Sequence, residues 1–191
     1  MTRIGIIIGS TRPGRKGATV ANWVHELASK RDDATYELVD LADFALPHLD
    51  EPIPAAMGEE YAAEHTKRWS EKVASYDGFV FVTPEYNHST TGVLKNAIDY
   101  LYSEWHNKSA GFVGYGLYGG TRAVEHLRSV AAELHIADVR DQVALSLFND
   151  FDENGGVTPG PYQEPTLTAM LDQIVAWAEA LKPLREKVAG A

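Results

Sequence analysis

The stretch RIGIIIGSTRPGRKGATVANWV, residues 3–24, changes its period halfway along. After Arg3 its first part is apolar and β-branched, the composition of a strand covered on both faces. From Val20 onward the apolar positions Val20, Val24 and Leu27 recur at the spacing of a helix. Between the two lies GSTRPGRKGAT, with three glycines and the cations Arg12, Arg15 and Lys16. A strand that enters a helix through such a loop presents unpaired backbone N–H groups and the positive end of a helix dipole. It is an anion site before any side chain is counted. Ser10 and Thr19 add hydroxyls, Arg12 and Arg15 can fork onto phosphate oxygens, and Gly14 and Gly17 allow close backbone approach. Three of the chain's 17 Lys and Arg fall within five positions, although its formal net charge is -10.

The acidic balance excludes a large nucleic-acid footprint and leaves a small anion as the ligand of this loop. It is not a nucleoside-triphosphate loop: Gly9 and Gly14 have the Walker spacing, but Arg15, Lys16 and Gly17 follow where Lys and a magnesium-binding hydroxyl are required. Cysteine is absent, which removes disulfides, thiolate metal sites and cysteine nucleophiles and fits a reducing compartment, so a cytoplasmic location is expected. No apolar run reaches the ~20 residues of a membrane span, and the N-terminus lacks the pattern of a signal peptide, so no membrane association is expected.

Strands are read at RIGIIIG, TYELVDL, GFVFVT, AGFVGYG and QVALSL. Helical stripes lie between and after them: Trp69, Val73, Tyr76; Leu94, Ala97, Ile98, Leu101; Val124, Leu127, Val130, Ala131, Leu134; and finally Leu167, Met170, Leu171, Ile174, Ala178 and Leu181. This strand–helix alternation predicts one α/β domain over residues 1–191, a three-layer sandwich whose parallel five-stranded sheet has the order 2-1-3-4-5 with helices on both faces. In that order the loops after strands one and three meet at the switch point, with the loop after strand four beside them. The irregular stretch 42–64, with Pro47, Pro52 and Pro54, reads as a lid, a binding loop or a surface excursion.

The loop after strand three begins TPEYNHSTTG, from Thr83. Pro84 ends the strand, Thr90 or Thr91 can cap the next helix, Tyr86 offers a flat face to a planar ligand, and Asn87 offers an amide beside it. After strand four, GYGLYGGTRA places Gly114, Gly116 and Gly119 in the G-x-G-x-x-G pattern. Because the first turn is already an anion site, this second one reads better as Gly116, Gly119 and Gly120 letting backbone approach a heterocycle's edge, with Tyr118 closing over it. DFDENG from Asp150 has half of a calcium loop but Pro161 at its twelfth position, and the seven histidines lack metal-binding spacing, so no metal site is predicted. YLYSEW clusters Tyr100, Tyr102 and Trp105, residue types that anchor interfaces as well as cores.

GSTRPGRKGATVANWV, TPEYNHSTTGVLKNAIDYL and YGLYGGTRA, in this order, resemble the NAD(P)H-dependent FMN reductases of the flavodoxin-like fold. The resemblance implies an FMN phosphate held by Ser10, Arg12, Arg15 and the helix start at Gly17, Ala18 and Thr19. It implies an isoalloxazine ring held by Pro84, Glu85, Tyr86 and Asn87 and bordered by the turn Gly116–Gly120. It implies NAD(P)H as co-substrate, a small-molecule electron acceptor and a homodimer or homotetramer. Gly17 stands where many relatives carry Ser, which removes one phosphate donor, and Thr91 where many carry Pro, which is expected to loosen a helix start. With the flavin supplying the reactive atom, N5, no catalytic side chain is required. N–H groups from Glu85 to His88 are expected to face charge on the reduced ring. A flavodoxin-like electron carrier without NAD(P)H turnover is the alternative, and its hydroxyl-rich loop suits the arginines less well.

Overall fold

A computed structural model describes residues 1–58 and 60–189. Five strands, β1 (Thr2–Ile8), β2 (Ala34–Asp40), β3 (Gly78–Pro84), β4 (Ser109–Gly116) and β5 (Ala137–Ser146), form one sheet of order β2-β1-β3-β4-β5. All four pairings are parallel. Helices α1 (Gly17–Ala28), α2 (Leu41–Phe44), α3 (Glu64–Ala74), α4 (Gly92–Asp99), α5 (Thr121–Glu133) and α6 (Gln163–Ala189) make the connections and the C-terminal segment. The expected flavodoxin-like order is the one observed.

Strand side chains alternate faces, and this alternation divides the core in two. Ile4, Ile6, Ile8, Val80, Val82 and Val113 pack with Val20 and Val24 of α1 and with Leu167, Leu171 and Ile174 of α6. Ile7, Phe79, Phe81 and Phe112 face the other way and pack with Trp69, Leu94, Ile98, Val124 and Leu127 of α3, α4 and α5. Both tryptophans of that second layer satisfy their ring N–H on the last turn of α4: Trp69 Nε1 donates to Ala97 O at 2.7 Å and Trp105 Nε1 to Ile98 O at 3.2 Å.

Several expectations are corrected here. Tyr100 and Trp105 are fully buried, and Tyr102 packs against the same cluster, so of the two readings of these aromatics the core one holds. Tyr76 and Leu101 lie beyond the ends of α3 and α4, though both remain buried. Strand β5 begins five residues earlier than the apolar run suggested, at Ala137. It is an edge strand, where polar residues such as Arg140 and Asp141 replace the apolar signal.

The irregular stretch after α2 is fastened to α4. Asn96 donates to Pro47 O and accepts from Leu49 N, while the Tyr100 hydroxyl donates to Asp50 at 2.9 Å. Glu51 accepts from the N–H groups of Ala62 and Ala63. This is a secured excursion along α4, bordering a cleft of about 200 Å³ lined by Thr11, Leu46, Val93 and Asn96.

Thr91 caps α4, as one of the two expected caps, and so tightens a start that the absence of Pro was expected to loosen. Its hydroxyl accepts from Leu94 N at 3.0 Å and donates to Gly9 O at 2.5 Å, so one side chain caps the helix and ties it to the end of β1. Thr91→Ala removes both bonds and should cost roughly 1–3 kcal/mol. Urea unfolding at neutral pH measures it, and an unchanged midpoint would show that the tie is dispensable.

Candidate functional site

Three loops meet at the carboxyl edge of the sheet, after β1, β3 and β4, where a doubly wound sheet changes direction. The first enters α1 without a side-chain cap: Lys16 is the N-cap residue and makes no capping bond. Among the described residues, the N–H groups of Gly17, Ala18 and Thr19 find no acceptor, as a helix's first turn requires unless something outside it accepts. Gly14 has φ +68° with open space where a Cβ would stand. These features fit an anion of phosphate size, as the cationic loop suggested.

The cations around it are not all free. Arg15 pairs with Asp40, the last residue of β2, whose carboxylate also caps α2 through Ala42 N. Lys16 lies over the ring of Phe151 at 4.7 Å. Arg12 folds over its own loop, donating to Pro13 O and, from Nε, to the Tyr86 hydroxyl at 3.2 Å. Ser10, 2% exposed, lies 3.4 Å from that same hydroxyl. Tyr86 thereby joins the first loop to the second. Burial pushes its phenol up, but Ser10 and Arg12 outweigh burial and hold it below the ordinary tyrosine range.

The second loop is a tight turn. Asn87 and His88 both have positive φ, +48° and +73°, between Tyr86 and Ser89, which exchange backbone hydrogen bonds. That is the φ signature of a type I′ turn, and Asn is the residue that tolerates it best after glycine. The expectation for the backbone from Glu85 to His88 needs correction: Glu85 N donates to Tyr115 O and Tyr86 N to Ser89 O, leaving only Asn87 and His88 N–H unengaged among the described residues. Pro84 is buried as the last residue of β3, while Tyr86 presents 39% of its surface.

The third loop is packed tightly against the sheet. A Cβ on Gly119 would meet Ala144 at 2.8 Å, and one on Gly120 would meet Tyr115 N at 2.5 Å; both residues have positive φ. Having no Cβ, these two glycines let the turn close against β4 and β5. Gly116 is different, with Glu85 Cβ at 3.3 Å, where the second and third loops touch. Tyr118 is 69% exposed, with the Arg122 guanidinium over its ring, 4.8 Å from the ring centre.

Sequence reasoning missed Asp40, Arg122 and Tyr115. An acid at the end of the strand beside β1 and a cation to answer the buried Glu85 were signals available for the first two. The Asp150 segment binds its own backbone: Asp150 accepts from Ser146 N and Gly160 N, and Asp152 from Asn154 N and Gly156 N.

Glu85 anchors the second and third loops to each other. It accepts from Arg122 Nε at 2.6 Å and from Arg122 N at 3.0 Å, with its side chain 6% exposed. Burial pushes this carboxyl up, but the Arg122 bonds outweigh burial and hold it below its ordinary 4.5. A depressed folded pKa contributes stability that is fully present above the unfolded pKa and lost as pH falls through the folded one. Glu85→Gln should therefore cost about 1–3 kcal/mol at pH 7, less than a fully buried pair because Arg122 is partly exposed. The difference from wild type should shrink steadily below pH 4.5. Denaturant titration across pH 3–7 checks this, and a gap that widens in acid would refute it.

Comparison with known proteins agrees with this geometry. The family model described as NADPH-dependent FMN reductase matches residues 2–150. An NAD(P)H-dependent FMN reductase of Nectria is 38% identical over 188 residues, covering 95% of this chain and 90% of its own. An NAD(P)H:quinone oxidoreductase of Solanum tuberosum is 30% identical, covering 94% of each. The solved structure of the flavoenzyme NAD(P)H:(acceptor) oxidoreductase of Paracoccus denitrificans superposes with a TM-score of 0.73, 23% identity and coverage of 94% and 98%, a likeness of fold. The chain belongs to the NADPH-dependent FMN reductase family and is an oxidoreductase of that type, with FMN as cofactor and NAD(P)H as co-substrate.

Proposed function

We propose that this chain acts as one domain that binds FMN across its three carboxyl-edge loops and carries reducing equivalents from NAD(P)H to a quinone, with azo compounds, metal ions or a second flavin as other acceptors. The phosphate belongs at Ser10, Arg12, Arg15 and the amides of Gly17, Ala18 and Thr19. The ring belongs against Pro84, Glu85, Tyr86 and Asn87 and beside the turn from Gly116 through Tyr118, Gly119 and Gly120. The observation that carries this reading is the Tyr86 hydroxyl, bonded to Arg12 and beside Ser10, because it makes the anion loop and the aromatic loop one site.

FMN supplies a ring atom, N5, that accepts hydride from a reduced nicotinamide and passes the electrons on. The chain's own part is to bind and orient. Arg12 is exposed and neutralises the phosphate without a competing carboxylate, whereas Arg15 must share its charge with Asp40. The N–H groups of Asn87 and His88 are donors already set by the turn, so they need no reorganisation to meet negative charge. Glu85 is committed to Arg122 and serves to position that turn.

Leu117, Tyr118, Leu147 and Phe148 are exposed beside this edge, on two loops joined by Leu147 N donating to Gly116 O. Neighbouring apolar side chains in such a position support a homodimer or homotetramer with the site near its interface. Phe148→Asp should then shift the mass measured by light scattering toward the monomer, and an unchanged assembly mass would count against this face.

The central test is an anaerobic titration of the purified protein, loaded with FMN, by NADPH. The visible flavin band should bleach and return on adding a quinone. Arg12→Ala should weaken FMN by about tenfold or more, the loss of one hydrogen bond to a charged group, and leave riboflavin nearly unaffected. A flavin that stays oxidised under NADPH would overturn the reading.

A further inference from the structure

Tyr115 ends β4 one residue before the third loop, and it lies 5% exposed in the core layer shared with α1 and α6. Its hydroxyl is buried and has no hydrogen-bond partner among the described residues. A buried phenol usually finds one, so this hydroxyl is free to take a partner from outside the chain. The hydroxyl reaches the start of α1. A Cβ built on Gly17 would lie 2.9 Å from it and 3.8 Å from the ring carbon that bears it. The phenol therefore ends against Gly17, the first residue of α1, in the same turn as the amides left without acceptors among the described residues. The ring is held there by the edge of Phe151, with centroids 6.5 Å apart, and Phe151 in turn lies under Lys16.

Gly17 and Tyr115 are complementary at this point. Any side chain at position 17 would contend with the hydroxyl for the same space, and glycine yields that space to the tyrosine. We propose that Tyr115 donates its hydroxyl hydrogen to the phosphate of bound FMN, filling from β4 the place of the short hydroxyl side chain that Gly17 lacks. This inference rests on the FMN-binding reading above and adds a phosphate ligand to it. The phenol stays a donor throughout the working pH range, because burial, its largest influence, pushes its pKa up while Arg12 and Arg15 oppose with less effect.

The experiment compares FMN and riboflavin, which differ only in the phosphate, by flavin fluorescence titration of the apoprotein, with thermal melting alongside. Tyr115→Phe should weaken FMN by about tenfold or more and leave riboflavin within twofold, the pattern of one lost bond to a charged oxygen. Adding Gly17→Ser to Tyr115→Phe should restore most of the FMN preference, since the space around the ring carbon then admits a serine. Gly17→Ser alone should weaken FMN, because the serine meets the hydroxyl. An unchanged FMN-to-riboflavin ratio in Tyr115→Phe would overturn the proposal, as would equal loss of both flavins, which marks a structural role. Failure of Gly17→Ser to recover any preference in the Tyr115→Phe protein would also overturn it. Should the wild-type protein itself bind FMN no better than riboflavin, the underlying phosphate assignment fails and this inference with it.

Discussion

The amides that open α1 have no acceptor among the described residues, and the loops around them suit that constraint. A helix start without a capping side chain is costly when enclosed, unless an anion completes it. This explains how an acidic protein comes to gather Arg12, Arg15 and Lys16 on one loop. Each cation is also restrained: Arg12 by Tyr86, Arg15 by Asp40, Lys16 by Phe151. The result is a positive corner whose parts hold their positions through neighbours on three different elements or loops.

The second and third loops are joined by a different device. Glu85 leaves β3 with its carboxylate buried and answered by Arg122 at the start of α5. The turn from Tyr86 to Ser89 is then presented on a fixed base, and the glycines at 119 and 120 allow the neighbouring turn to fold tightly onto β4. Thr91 completes the arrangement from beneath by tying α4 to Gly9 at the end of β1. Rigidity at the edge therefore comes from hydrogen bonds and ion pairs between loops, while the strands beneath are held by apolar packing.

Much of this was legible in the chain itself. Apolar runs of the right length marked four strands closely, and they failed only for β5, where an edge position substitutes polar residues for apolar ones. The cationic loop between β1 and α1 was legible because its signal is local: glycines, cations and a change of period within twenty residues. Aromatic residues stayed ambiguous where their context is tertiary. Tyr100 and Trp105 read equally as interface anchors or core, and they are core because α3 and the sheet close over them.

Local chemistry, then, determined the order of elements, the doubly wound class and the three loops that would meet. These follow from hydrophobic period, turn residues and the handedness of parallel crossovers, all of which act over short stretches of chain. Only the tertiary structure decided which side chains answer one another: Arg15 to Asp40, Glu85 to Arg122, Tyr86 to Arg12, and the Tyr115 hydroxyl to the space above Gly17. Those pairings join residues 25 to 98 positions apart. Distance along the chain carries no signal of such contacts, because they exist only after the sheet has brought its carboxyl edge together.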